Sequence, residues 1–280
     1  MRDLDGHPEL CAINTATLGF QKPITEVIEA IARAGFGGVA PWRREMEDQN
    51  IKAVAKQIRD AGLQVTGYCR STFLTSNSES DRMAAINDNF RALDDAATLG
   101  AQSFMIVAGT LPQDSKNLKL AREQVAEGVA KLSAYAKSSS VKIALEPLHP
   151  VYAIDRSCIN LISQALDLCE EIGADNVGLC IDAYHTWWDP HLAQDVARAG
   201  AEGRIFGFHV SDWLSPTTDI LNDRGMMGDG VIDLKLVHGL VEDAGFNGLI
   251  EVEIFSSGNW WKKPIEETLR VAKERFASVV

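Results

Sequence analysis

Short apolar runs alternate with longer amphipathic stretches from one end of the chain to the other. Eight of the short runs predict β-strands: Leu10–Asn14, Gly37–Ala40, Gln64–Tyr68, Ser103–Val107, Lys142–Glu146, Val177–Asp182, Ile205–Val210 and Leu249–Ile254. The stretches that follow them repeat their apolar residues at helical spacing. They predict helices over Pro23–Ala34, Asn50–Ala61, Glu79–Leu99, Lys116–Lys137, Cys158–Ile172, Leu192–Ala201, Leu234–Ala244 and Pro264–Phe276. The punctuation agrees. Pro23 opens the first helix, and Gly35, Gly62, Gly100 and Gly245 follow helical stretches where a left-handed cap is expected.

Strict strand–helix alternation implies parallel pairing with right-handed crossovers. A closed barrel and an open doubly wound sheet both accept that order. A nucleotide-binding open sheet would carry a glycine-rich turn after its first strand, whereas here that strand runs into Thr15-Ala-Thr-Leu-Gly-Phe20. No linker, repeat or low-complexity tract divides the chain. The expectation is therefore a single α/β domain over residues 1–280, a (β/α)8 TIM barrel.

Composition narrows the class of partner. The 280 residues carry a formal net charge of −12. That balance disfavours nucleic acid, whose binding rests on Lys and Arg neutralising phosphates, and suits a small neutral or metal-chelating substrate. No apolar run approaches the roughly 20 residues that span a bilayer, and the N-terminus lacks the charged-then-apolar order of a signal peptide. A cytoplasmic location without membrane attachment is expected. The five cysteines are scattered, with no C-x-x-C pair, which argues against a disulfide framework and for small buried hydrophobes.

In a barrel, the C-terminal ends of the strands open into one pocket. Four consecutive strands each deliver a polar group there: Glu146 after Ile143-Ala-Leu, Asp182 after Leu179-Cys-Ile, His209 after Phe206-Gly-Phe, and Glu253 in Glu251-Val-Glu253. Burying these acids unpaired would be costly, and a shared divalent cation removes the cost. Three carboxylates with one imidazole form an oxygen-rich set that suits Mn²⁺ best, with Mg²⁺, Co²⁺, Zn²⁺ or Fe²⁺ tolerated. Glu251 has the same parity as Glu253 but lies one layer deeper, as a supporting group.

These residues resemble the xylose-isomerase-like barrels of sugar and sugar-phosphate isomerases and epimerases, a group that includes ketose 3-epimerases, hydroxypyruvate isomerases and the isomerases and dehydratases of inositol catabolism. The resemblance covers most of the chain and is sharpest from Val141 to Phe255. It rests on Glu146, Asp182 with His185, His209, the Val252-Glu253-Ile-Phe255 run, and Arg224 followed by Gly228-Asp-Gly230. The resemblance implies metal ligation by Glu146, Asp182, His209 and Glu253. It also implies a sugar, keto-sugar or cyclitol substrate and proton abstraction through an enediolate, with Glu146 and Glu253 as the acid/base pair. His185 and Arg224 would contact the substrate.

The chain also departs from that pattern. Where the ketose epimerases carry a second glutamate six residues after the strand-five ligand, this chain has Tyr152, and His149 stands in the same loop. His149 beside an enediolate could protonate a departing group, so a lyase or dehydratase outcome stays open beside isomerisation, as does a non-catalytic metal-binding barrel. All six tryptophans (Trp42, Trp187, Trp188, Trp213, Trp260 and Trp261) fall in predicted βα loops. They suit either stacking on a sugar, for which Trp213 is the candidate, or packing within the loops and in a homo-oligomer. The sequence displays no basic cluster, which points to an unphosphorylated substrate.

Overall fold

The computed structural model describes all 280 residues, Met1–Val280. Eight parallel strands close a barrel: β1 (Cys11–Asn14), β2 (Gly38–Ala40), β3 (Gln64–Tyr68), β4 (Ala101–Ile106), β5 (Lys142–Leu145), β6 (Val177–Asp182), β7 (Ile205–Val210) and β8 (Ile250–Val252). The β1–β8 pair makes the closure, with Cys11 opposite Ile250 and Ile13 opposite Val252. Around this barrel run α1 (Ile24–Ala34), α2 (Ile51–Asp60), α3 (Glu79–Leu99), α4 (Leu118–Ala136), α5 (Ile162–Ile172), α6 (Leu192–Ala201), α7 (Leu234–Asp243) and α8 (Ile265–Val279). This is the TIM barrel expected from the sequence.

Local chemistry explains the elements. In α1, Ile24, Val27, Ile28 and Ile31 form one buried stripe, while Thr25, Glu26 and Glu29 face water. Asn50, Ser78, Asn117 and Asp233 each accept a backbone N–H at the start of their helix, satisfying a donor that the helix leaves unpaired. β6 is buried along its whole length, as expected for a parallel strand covered on both faces. The five cysteines are all free and buried. No helix is long and apolar enough to cross a membrane.

One helix start and two added short elements depart most from expectation. The helix after β5 begins at Ile162 rather than Cys158, because Cys158 donates its N–H to Gly109 O at 2.8 Å and Gly109 donates to Arg156 O at 3.0 Å. That backbone pairing holds Ser157 and Cys158 extended beside the loop that follows β4. A single helical turn, Ala183–Thr186, directly follows β6. Asp212–Trp213 pairs antiparallel with Arg224–Gly225 outside the barrel. Both short elements shape the pocket mouth.

Beneath the mouth the barrel is filled. Met105 lies between two glycines, and a Cβ on Gly67 or Gly207 would come within 2.9 or 3.4 Å of its methyl carbon. Met105 groups with Cys69, Ala144 and Cys180 into a small apolar floor. The polar residues stand on that floor.

Candidate metal centre and active-site cavity

Register brings the acidic groups together. Asp182 of β6 is opposite His209 of β7, and His209 is opposite Glu251 of β8. Glu146 follows β5 directly, its N–H donating to Ile106 O at 3.1 Å, and Glu253 donates its N–H to Val210 O at 3.1 Å just beyond β8. Ligand atoms of Glu146, Asp182, His209 and Glu253 all lie within 4.8 Å of one another, and all four residues are buried. His209 Nδ1 lies 3.3 Å from Glu146 Oε1 and 3.8 Å from Glu253 Oε2. Neither Glu146 Oε1 nor His209 Nδ1 has a hydrogen-bond partner of good geometry. Buried polar atoms without partners, in a cluster of three carboxylates and one imidazole, fit a divalent cation.

The electrostatics describe the same demand for positive charge. Burial pushes the Asp182 carboxyl up to about 7, with Glu146 and Glu253 adding to the shift and Arg224 opposing it. Burial also disfavours charge on Glu253, yet the adjacent His209 and Arg224 hold its pKa below the usual carboxylate value. For His209, burial is outweighed by Cys180, Glu251 and Glu146, and its pKa is raised well above that of free imidazole.

A second layer fixes the candidate ligands. Asn14 donates through Nδ2 to Glu251 Oε1 at 2.8 Å and to Glu253 Oε1 at 2.9 Å, while its Oδ1 accepts from Trp42 Nε1 at 2.7 Å. Thr66 donates to Glu251 Oε2 at 2.6 Å. Glu251 Oε1 in turn lies 3.2 Å from His209 Nε2, so it faces the imidazole nitrogen that points away from Glu146. A carboxylate behind a metal-binding histidine sets its tautomer and strengthens it as a ligand. Glu251→Gln is therefore expected to weaken Mn²⁺ binding by about 10- to 100-fold without removing a ligand. Calorimetric titration of the metal-free protein with Mn²⁺ reads this directly, and an unchanged affinity would leave Glu251 as a packing residue only.

Arg224 enters from the antiparallel hairpin. Its Nη1 lies 3.2 Å from Asp182 Oδ2 and 3.2 Å from Glu253 Oε2, and its Nη2 lies 3.3 Å from His185 Nε2. The carboxylate of Asp212 folds the loop that supports it. Asp212 Oδ2 accepts from Gly228 N at 2.8 Å and Gly230 N at 2.9 Å, and Oδ1 accepts from Ile232 N at 3.0 Å. A Cβ on Gly230 would lie 2.2 Å from Trp213 O, so only glycine fits there. His185 accepts the His149 backbone N–H at Nδ1, 3.3 Å away. Burial and then Arg224 hold its pKa well below the usual value, which keeps the imidazole neutral.

A cavity of about 220 Å³ opens above these groups, and its wall includes Glu146, His185, Arg224 and Glu253. Trp42 and Tyr152 also line it. The Tyr152 and Tyr184 hydroxyls both donate to Ile220 O, at 2.7 and 2.6 Å, tying the loop before Arg224 across the mouth. His149 and Trp213 are not part of the lining. The His149 ring packs 4.8 Å from Trp213 and 5.4 Å from Trp188, and Trp213 stacks on Tyr184 at 4.7 Å. The structure thus places His149 and Trp213, both expected at the substrate, outside the cavity wall, with the His149 backbone N–H reaching His185. Trp42 is the single tryptophan in the lining. Sequence reasoning overlooked Asn14, Asp212, Arg70 and Arg156, the last two of which also line the cavity.

Comparison with known proteins gives a consistent set of likenesses. A family model described as a xylose isomerase-like TIM barrel matches residues 28–275. An inosose isomerase of Bacillus velezensis is 28% identical over 239 residues, which is 84% of this chain and 82% of that protein. An inosose isomerase of Bacillus licheniformis is 30% identical over 212 residues, 74% of this chain and 73% of that protein. A crystal structure of a Sinorhizobium meliloti protein superposes with a TM-score of 0.95 at 46% identity, covering 98% of this chain and 99% of that one.

Proposed function

The chain belongs to the xylose isomerase-like TIM barrels, and from that membership we propose that it is a divalent-metal-dependent isomerase or epimerase of a keto-sugar or cyclitol. The observation that carries the proposal is the pair Glu146 and Glu253. They rise from β5 and β8, three strands apart around the barrel, and their carboxylates approach the same His209 nitrogen at 3.3 and 3.8 Å. Both also line the cavity. Two carboxylates converging on one reaction space from separate strands suit removal of a carbon-bound proton on one face and delivery on the other. The relatedness to inosose isomerases over most of the chain supports the same class of chemistry.

In this proposal Glu146, Asp182, His209 and Glu253 hold the ion, and the oxygen-rich set favours Mn²⁺. When bound, a divalent ion polarises the ketone and stabilises the charge that builds as the α-proton leaves. The chain's own residues do the rest. One of Glu146 and Glu253 takes the proton, generating an enediolate, and the other returns one. The Arg224 guanidinium and the neutral His185 imidazole offer N–H groups to substrate oxygens. Trp42 and Phe255 provide apolar wall, and Tyr152 and Tyr184 anchor the loop that shields the intermediate from water.

Incubation with candidate keto-polyols in D₂O plus Mn²⁺ tests this reading. Deuterium should enter at the carbon next to the ketone, chelation of the metal should abolish the uptake, and restored Mn²⁺ should return it. Release of water or an alcohol during exchange would assign a lyase outcome instead. No exchange with any keto-polyol would sink the proposal.

A further inference from the structure

The cavity contains positive charge that proton transfer does not use. Its charged lining is Arg70, Arg156 and Arg224 against Glu146 and Glu253, a local excess of cations in a chain of formal net charge −12. Arg224 is neutralised by Asp182 and Glu253. Arg70 has no such partner. Its side chain makes one hydrogen bond, from Nη1 to the Ser71 carbonyl at 3.0 Å, and its guanidinium lies 4.7 Å over the Phe73 ring. Arg156 lies 3.6 Å from its neighbour Asp155 and 5.9 Å over the Tyr152 ring, and its buried Nε donates to nothing.

Two guanidinium groups from different loops, one after β3 and one after β5, thus line one cavity, and neither is hydrogen-bonded to a carboxylate. Burial and then the Arg156 charge hold the Arg70 pKa below its usual value, so the two cations oppose each other. An oxyanion between them would relieve that opposition and fill the free donors. The Ser71 and Phe73 contacts fix the Arg70 fork in advance, which reduces the entropy lost when an anion binds.

We propose that the substrate is anionic, and that Arg70 and Arg156 hold its carboxylate or phosphate while the metal-centre acids work on the keto end. The assignment of the keto end rests on the enolisation proposed above; the anion site does not. The matched trio D-fructose, D-fructuronate and D-fructose 6-phosphate separates the two, because these compounds share a ketone and differ at the far carbon. Binding to the Mn²⁺-loaded full-length protein is measured by calorimetry, and deuterium exchange is followed in parallel.

One of the two anions should bind about 10- to 100-fold tighter than fructose, the range of a charge-assisted hydrogen bond. Arg70→Met and Arg156→Met should each remove most of that preference and leave Mn²⁺ affinity unchanged, whereas Arg70→Lys retains part of it. Preference for fructuronate identifies a carboxylate, and preference for the 6-phosphate identifies a phosphate. Tight anion binding without exchange keeps this site and sinks the enolisation. Equal affinities across the trio, or a preference that survives Arg70→Met, overturns the anion site.

Discussion

Replacing Glu146 or Glu253 by glutamine, at Mn²⁺ concentrations that saturate the variant, is expected to lower the proposed epimerisation by about 10²- to 10⁴-fold, the range for loss of a positioned acid or base. A glutamine amide keeps an oxygen for the ion but cannot take a proton from carbon. The more telling result is the asymmetry between the two variants. If the carboxylates serve opposite faces of the substrate, Glu146→Gln should still exchange deuterium into one epimer, and Glu253→Gln into the other, while neither interconverts them. Both variants exchanging into the same epimer at equal rates would assign both carboxylates to one face and remove the two-base mechanism.

Arg224→Met is expected to produce the largest loss of stability. The methionine retains much of the volume and the contact with Tyr184, over whose ring the guanidinium carbon lies at 4.3 Å. It leaves Asp182 and Glu253, both buried, without the cation that lies 3.2 Å from each. Breaking a buried ion pair from one side costs about 3–5 kcal/mol, which is several degrees in Tm for a chain of this size. The deficit should be measured by thermal unfolding of the metal-free protein and should shrink when Mn²⁺ is added, since the ion supplies positive charge to the same carboxylates. A Tm deficit that ignores Mn²⁺ would locate the damage in packing instead. Arg224→Lys should be closer to wild type in stability than in exchange rate, because a point charge replaces the cation but not the fork that reaches His185.

The sequence revealed the barrel because each strand is a short apolar run followed by a helix with one apolar stripe, a pattern that leaves little choice of topology. The candidate ligands were legible for a related reason. Strand ends converge in a closed parallel barrel, so Glu146, Asp182, His209 and Glu253 meet once the strands are aligned. What escaped was set by loops. Arg70 and Arg156 are 86 positions apart in the chain, and although both follow barrel strands, nothing near either signals that its side chain turns into the cavity. The lack of a basic cluster along the sequence points to an unphosphorylated substrate, but the cavity assembles such a cluster in space. Asp212 reads as the tail of β7, yet its carboxylate gathers three backbone N–H groups from the Gly228–Ile232 turn. The tryptophans share a loop address but different surroundings: Trp261 donates to Ala16 O at 2.7 Å, and Trp188 to His185 O at 2.8 Å.

The hairpin that carries Arg224 has a consequence for how such an enzyme diversifies. Its base is pinned by the Asp212–Gly225 and Trp213–Arg224 pairs and by the buried Asp212 carboxylate, so the arginine's position does not depend on the residues between. The segment from Leu214 to Asp223 behaves as a cassette: it touches the cavity through Leu221 and is gripped at Ile220 by two tyrosine hydroxyls. Lengthening or exchanging it is expected to reshape the cavity wall at Leu221 while Glu146, Asp182, His209 and Glu253 keep their places at the strand ends. The cost of such an exchange falls on the contacts of Ile220 with Tyr152 and Tyr184 and of Asn222 with Ser257, not on the strands themselves.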